Sequence, residues 1–324
     1  MTRALIALSA AVVAVLAGCA ATPVPDPTAT PTEPAVEQID SLGATEISAT
    51  PFPDWITATD AGVWVANVGA GLVRYDDTGA KTAEVATGDI ALAMDVGFGS
   101  LWAGSTSDGR AEVVRVDIAD PGSVTRISLP GVTLAEESSI AVTDAAVWVL
   151  TTSEPRTIVA IDPADNTVRG TLPVAQNAAA LRGGFGSLWV TRNADDTVDR
   201  VDPATGEVLA SIPVGPYPQF LAVGDDAVWV MNQFGPSVSR IDAETEEVTT
   251  VPLPGRRING GDIAASADAV WVRTSSGLAV RIDPLTATVT RRIGPAAGSG
   301  SIAIDGTSVW ISAHDVTTVW RIDD

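Results

Sequence analysis

The side chains able to carry chemistry in this 324-residue chain fall in a few short stretches. Pro216-Tyr217-Pro218-Gln219-Phe220 and Asn232-Gln233-Phe234 set aromatic rings among three amides, a combination suited to stacking and hydrogen bonding with a ligand. Arg256-Arg257-Ile258-Asn259 puts two guanidinium groups side by side in a very acidic protein, where they can grip a carboxylate or phosphate by forked hydrogen bonds. Trp55 adds a ring near the first of these repeats. His314, the single histidine, is the one side chain with an ordinary pKa near neutrality, and it is followed by Asp315. Neighbours along a strand point to opposite faces, so the two are no ready dyad, and a histidine base here needs a carboxylate from elsewhere.

Much other chemistry is excluded. One Cys and one His leave no disulfide framework, no Cys-based zinc site and no multi-histidine metal site. A nucleophile elbow, a phosphate-binding Walker loop and an EF-hand-type calcium loop are all missing. The Asp pairs at 76–77, 195–196 and 225–226 sit at strand ends and read as turn formers. Acidic residues number 40 against 19 basic, a net charge of -21 that argues against nucleic acid as a partner. No cofactor is expected.

The elements that must hold these residues repeat. Trp64, Trp102, Trp148, Trp189, Trp229, Trp271 and Trp310 each stand between apolar residues, at spacings of 38, 46, 41, 40, 42 and 39. An Arg-apolar-Asp motif follows each, as in Arg115-Val116-Asp117 and Arg240-Ile241-Asp242; the third repeat has Ala160 in the Arg position. Within a repeat, short alternating runs are separated by Gly, Asp and Pro, which is the pattern of antiparallel strands. Four strands in about 40 residues, repeated, predict an all-β, seven-bladed β-propeller of four-stranded antiparallel blades. The repeated Trp residues then fill the wedges between blades. The sequence ends after a seventh third-strand motif, and Ala44–Ala49 reads as a detached outer strand, so an N-terminal strand is expected to close the ring over residues 40–324. A monomer is expected. Tyr217, Gln219, Asn232, Gln233, Phe234, Arg256, Arg257, Asn259, His314 and Trp55 fall in the loops at one mouth of the channel, where a rigid scaffold presents binding residues.

Ahead of the repeats, Ala4–Ala17 is an apolar run of 14 residues, short for a bilayer span and right for a signal sequence. It leads into Leu16-Ala17-Gly18-Cys19, which resembles the bacterial lipobox. That resemblance implies removal of residues 1–18, lipidation of Cys19, and an extracytoplasmic protein anchored to the outer face of the cell membrane. Residues 19–39 follow as a Pro/Thr-rich spacer.

The repeats themselves, as in Val198-Asp-Arg-Val-Asp-Pro-Ala-Thr-Gly-Glu-Val-Leu-Ala-Ser-Ile-Pro-Val-Gly and Leu221-Ala-Val-Gly-Asp-Asp-Ala-Val-Trp-Val, resemble YVTN-type and streptogramin-lyase-like propeller repeats of secreted actinobacterial proteins. The enzymatic branch, virginiamycin B lyase, implies ring-opening elimination with a His base, a Glu and magnesium, and often carries Pro-His-Gly-Ile before an inner strand. Here the matching loops read Tyr217-Pro218-Gln219-Phe220, Pro53-Asp54-Trp55-Ile56 and Gly260-Gly261-Asp262-Ile263, without histidine. The expected function is therefore binding of a protein partner or cell-envelope ligand. The alternatives are such a lyase, with magnesium and with His314 as its weak catalytic candidate, or a small-molecule or sugar sensor.

Overall fold

A computed structural model describes residues 33–49, 51–88, 90–135, 139–255 and 257–324. The signal region, Cys19 and Arg256 lie outside the described residues. From Pro34 onward the chain forms one compact unit of seven sheets. The described residues contain no α-helix, only a 3-10 turn at Ile39–Leu42.

Each sheet is a blade of four antiparallel strands, running in chain order from the channel to the rim. Blades 1 to 6 occupy residues 53–85, 90–128, 140–173, 178–213, 218–252 and 262–294. Blade 7 holds residues 302–323 and takes its outer strand from the N-terminus. Thr45–Ser48 pairs antiparallel with Thr318–Asp323, with Ile47 opposite Val319. The expected closure is therefore present, and it joins the two ends of the propeller in one sheet. The N-terminal segment does one thing more. Val36–Gln38, within the stretch read as spacer, adds a parallel fifth strand to the outer edge of blade 6. Gly43, at φ 67°, ends the 3-10 turn between the two added strands in a conformation that suits a residue without a Cβ.

Why the repeat builds this ring follows from two positions. All seven repeat Trp side chains are buried, none more than 4% exposed. Each packs against the following blade: Trp102 against Ile140 and Val149, Trp189 against Leu221 and Val230, Trp310 against Ile56 and Val65. Burying an indole removes about 150–250 Å² from water, on the order of 4–6 kcal/mol per wedge. Opposite every repeat Trp but Trp148 the third strand carries the Arg of the motif, as in Trp102 with Arg115 and Trp189 with Arg200. Arg74, Arg115, Arg200 and Arg240 lay their guanidinium carbons 5.6, 4.6, 5.5 and 5.9 Å from the ring centroids, and Arg291 of the outer strand covers Trp271 at 5.8 Å.

The Asp of the motif makes the turn to the outer strand. Asp162, Asp202 and Asp242 accept backbone N–H bonds from Ala164, Ala204 and Thr245 at 2.8, 2.8 and 2.9 Å. Those bonds favour the ionised carboxylate and hold all three below the usual aspartate range.

Candidate functional site

Two loop sets meet at one mouth of the channel: those joining second to third strands, and those leading from an outer strand into the next blade. Blade 5 brings both together. Gly215 lies so close to Asn232 that a Cβ there would stand 2.4 Å from its Nδ2, so the incoming loop runs tight across the strand end. Tyr217 turns through φ 58°, with its N–H bonded to the Asp196 carboxylate at 2.8 Å. The Gln233 N–H in turn donates to the Tyr217 carbonyl at 3.0 Å. This brings the Tyr217 and Phe234 rings into a stack, with centroids 4.0 Å apart and planes 11° from parallel. The loop into blade 6 is tied to the same place, because the Ile258 N–H donates to the Gln233 carbonyl at 3.0 Å. Arg257 then lies over Phe234, its guanidinium carbon 4.2 Å from the ring centroid. Two groups that close to one ring occupy its two faces.

The result is a column of Tyr217, Phe234 and Arg257 at the mouth. Phe234 keeps 48% of its surface open to solvent, an unusual exposure for a ring so well organised. Arg257 is exposed, and no carboxylate among the described residues pairs with it. Gln219 turns to the blade 4 side, where its Oε1 accepts from Asn193 Nδ2 at 3.2 Å and it lines a cavity with Arg156 and Ala179. Asn259 is exposed beyond Arg257, its N–H bonded to Ser275 Oγ at 3.1 Å.

Other residues singled out from sequence stand elsewhere. Asn232 is fully buried and donates to Ser237 and Ser239 Oγ, both at 3.0 Å, so it supports the column from behind. Gln233 is 8% exposed and contributes chiefly backbone bonds. Trp55 is 5% exposed and meets Phe220 with ring centroids 6.1 Å apart. Blades 1 and 5 are not neighbours in the ring, so this pair meets across the channel. His314 belongs to blade 7, where its ring packs on Phe52 at 4.3 Å. Burial holds its pKa below the ordinary value, and the adjacent Asp315 carboxylate accepts the Gly298 N–H at 2.7 Å. The structure thus unites Tyr217, Phe234 and Arg257, and leaves Gln219 and His314 apart from them.

A second polar group lines the channel and was not singled out from sequence. Asp95 and Arg182 occupy inner-strand positions directly opposite Trp102 and Trp189. The same position is Ala141, Ala222, Ala264 and Ala303 in four other blades, so two charged residues in an alanine column were the available signal. With Asp262 they border a cavity of about 480 Å³. Asp95 accepts from the Val96 and Val142 N–H groups at 2.8 and 2.7 Å. Asp262 accepts from the Ile263 N–H at 2.8 Å and from Ser301 Oγ at 2.5 Å. Burial pushes both carboxyls up, opposed by the positive charge of Arg182. Asp54 is pushed up to about 6 by burial and by the nearby charge of Asp262. The Asp95 and Asp262 carboxylates are spent on backbone and serine donors, and the bonds from Val142 and Ser301 join adjacent blades, which makes these two residues struts of the channel wall. Among the described residues no group of three or more His, Cys, Asp or Glu side chains is arranged to hold a metal ion.

No protein-family model matches the chain, and no curated protein matches it in sequence. Solved propellers match its fold. U3-55K superposes with a TM-score of 0.71 at 13% identity, covering 87% of this chain and 98% of its own. The Pan2 WD40 domain of Neurospora crassa gives 0.65 at 13% identity, covering 88% and 96%. BamB from Moraxella catarrhalis gives 0.54 at 14%, covering 84% and 86%. At these identities the likeness is one of fold.

Proposed function

We propose that this protein is a cell-surface lipoprotein, held to the outer face of the membrane through Cys19, whose propeller binds a protein partner or cell-envelope ligand at the channel mouth. The observation that carries the binding role is the Tyr217–Phe234–Arg257 column. Its ring is half exposed on a scaffold that buries all seven repeat indoles. Tyr and Arg are the residue types that dominate binding energy at interfaces, and here they are ordered before any ligand arrives, which lowers the entropic cost of association. The exposed guanidinium gives the site a preference for a carboxylate, phosphate or sulfate on the partner. The fold is one typical of interaction scaffolds, and solved WD40 domains are among its structural neighbours. The lipobox resemblance at Leu16-Ala17-Gly18-Cys19 and the Pro-rich stretch behind it support the anchored placement.

Affinity capture from cells tests the binding role. The native chain and a Leu285→Ala control, changed at an 89% exposed residue on the opposite face, are expected to retain the same partner. The Phe234→Ala/Arg257→Ala double variant is expected to lose it by about a hundredfold, the loss of about 3 kcal/mol that a hot-spot pair supplies. Equal recovery by all three proteins would overturn the reading.

A further inference from the structure

On the face opposite the mouth, one wedge lacks the third-strand arginine that stands opposite the repeat Trp in the other six blades. In blades 1, 2, 4 and 5 the repeat Trp is covered by the Arg of its own third strand. Blade 2 shows the full arrangement. Arg115 crosses Trp102 and donates to Ser100 Oγ at 2.9 Å, to the Pro163 carbonyl at 2.6 Å and to Asn166 Oδ1 at 2.9 Å. The last two acceptors belong to the next blade's turn. In blade 3 the residue opposite Trp148 is Ala160, and the residue opposite Ala160 is Gly170. Ala146 stands where Ser100 and Ser187 serve the neighbouring arginines. Three small residues in one place leave a cavity of about 380 Å³ against Trp148, closed on its far side by Pro203 and Ala204 of blade 4. Pro203 follows its turn Asp as Pro163 does, so the carbonyl that receives Arg115 in one wedge has its counterpart here.

We propose that this socket receives an arginine side chain from a partner polypeptide. The molecule itself supplies the template, since the equivalent place on four other repeat indoles is filled by a guanidinium from within the chain. Arg169 at the rim does not fill it. Its guanidinium lies 2.6 Å from the Asp162 carboxylate and donates to the Ala145 carbonyl at 2.8 Å. The surroundings also select a cation. Asp144 and the exposed Phe185 line a second cavity of about 300 Å³ that shares Ala145 and Pro203 with the first, giving an extended groove for the residues flanking the arginine. The net charge of -21 draws a cationic segment toward it. This inference concerns the other face of the ring and stands or falls independently of the mouth-face reading.

The test uses the peptide acetyl-Gly-Arg-Gly-amide and its citrulline counterpart, which has the same shape without the charge. The Trp148 indole N–H signal is identified in a ¹⁵N-correlation spectrum by its loss in Trp148→Phe. The arginine peptide is expected to shift that signal saturably, and the citrulline peptide to bind about tenfold more weakly. Ala160→Arg, which restores the repeat's own cation, is expected to abolish the shift. Gly170→Leu should do the same from the opposite strand; Gly170 has an ordinary φ and nothing within 4 Å of where its Cβ would stand, so this variant keeps the fold. An unmoved Trp148 signal, an equal response to citrulline, or a native response in either filled variant would overturn the proposal.

Discussion

Truncating Ile47 to Ala tests whether the N-terminal strand closes the propeller. Ile47 is 7% exposed and packs with Ala49, Trp310 and Val319 between blades 7 and 1. Its side chain also fills the space over Gly79, where an added Cβ would meet Ile47 Cγ1 at 2.9 Å. Neither neighbour can move in to fill the gap, because the Trp310 wedge is fixed by both blades and Gly79 by its own turn. A buried Ile-to-Ala change that leaves such a cavity costs about 3 kcal/mol. At about 2 °C per kcal/mol for a domain of this size, the melting temperature should fall by about 6 °C. Val36→Ala is the matched comparison, since Val36 lies in the other added strand but is 46% exposed; its effect should stay within about 1 °C. Calorimetry, supported by urea unfolding at 25 °C, reads both. The account is refuted if Ile47→Ala melts within about 1 °C of the native protein, or if the two variants lose the same amount.

Two further expectations bear on the channel and the anchor. Asp54 is raised from 3.8 to about 6 in the folded protein, so its contribution to stability is greatest below the unfolded value and is lost as pH rises through about 6. Asp54→Asn should therefore match the native protein near pH 4 and exceed it by about 2–3 kcal/mol at pH 7 in urea unfolding; an advantage of equal size at both pH values would contradict the burial of that carboxylate. Cys19→Ala should move the protein from the membrane to the soluble fraction, and retention in the membrane fraction would contradict lipid anchoring.

The propeller was legible because its determinants are periodic. The Trp wedges and the Arg-apolar-Asp turns recur at near-constant spacing, and each recurrence reports the same packing problem. The closing strand could be read because its alternation matches the other outer strands. The strand at Val36–Gln38 could not, since three residues behind a proline-rich stretch are too few to show a period. At the mouth, the sequence supplied Tyr217 and Phe234 as one departure from the repeat and Arg257 as another. Their union depends on two backbone bonds from neighbouring loops, which no spacing rule encodes. Asn232 misled because an amide at a strand end looks like a ligand contact, whereas two serines on the next strand claim it. Asp95 and Arg182 went unnoticed because their meaning lies in register: only when each is set opposite its Trp does the alanine column that they interrupt come into view.

Site-specific photo-cross-linking in living cells tests the mouth-face claim most directly. A photoreactive phenylalanine analogue is placed at position 234 in one protein and at position 285, on the opposite face, in another. The account predicts a discrete cross-linked species from position 234 that is absent from position 285. No cross-link from position 234, or the same species from both positions, would contradict it.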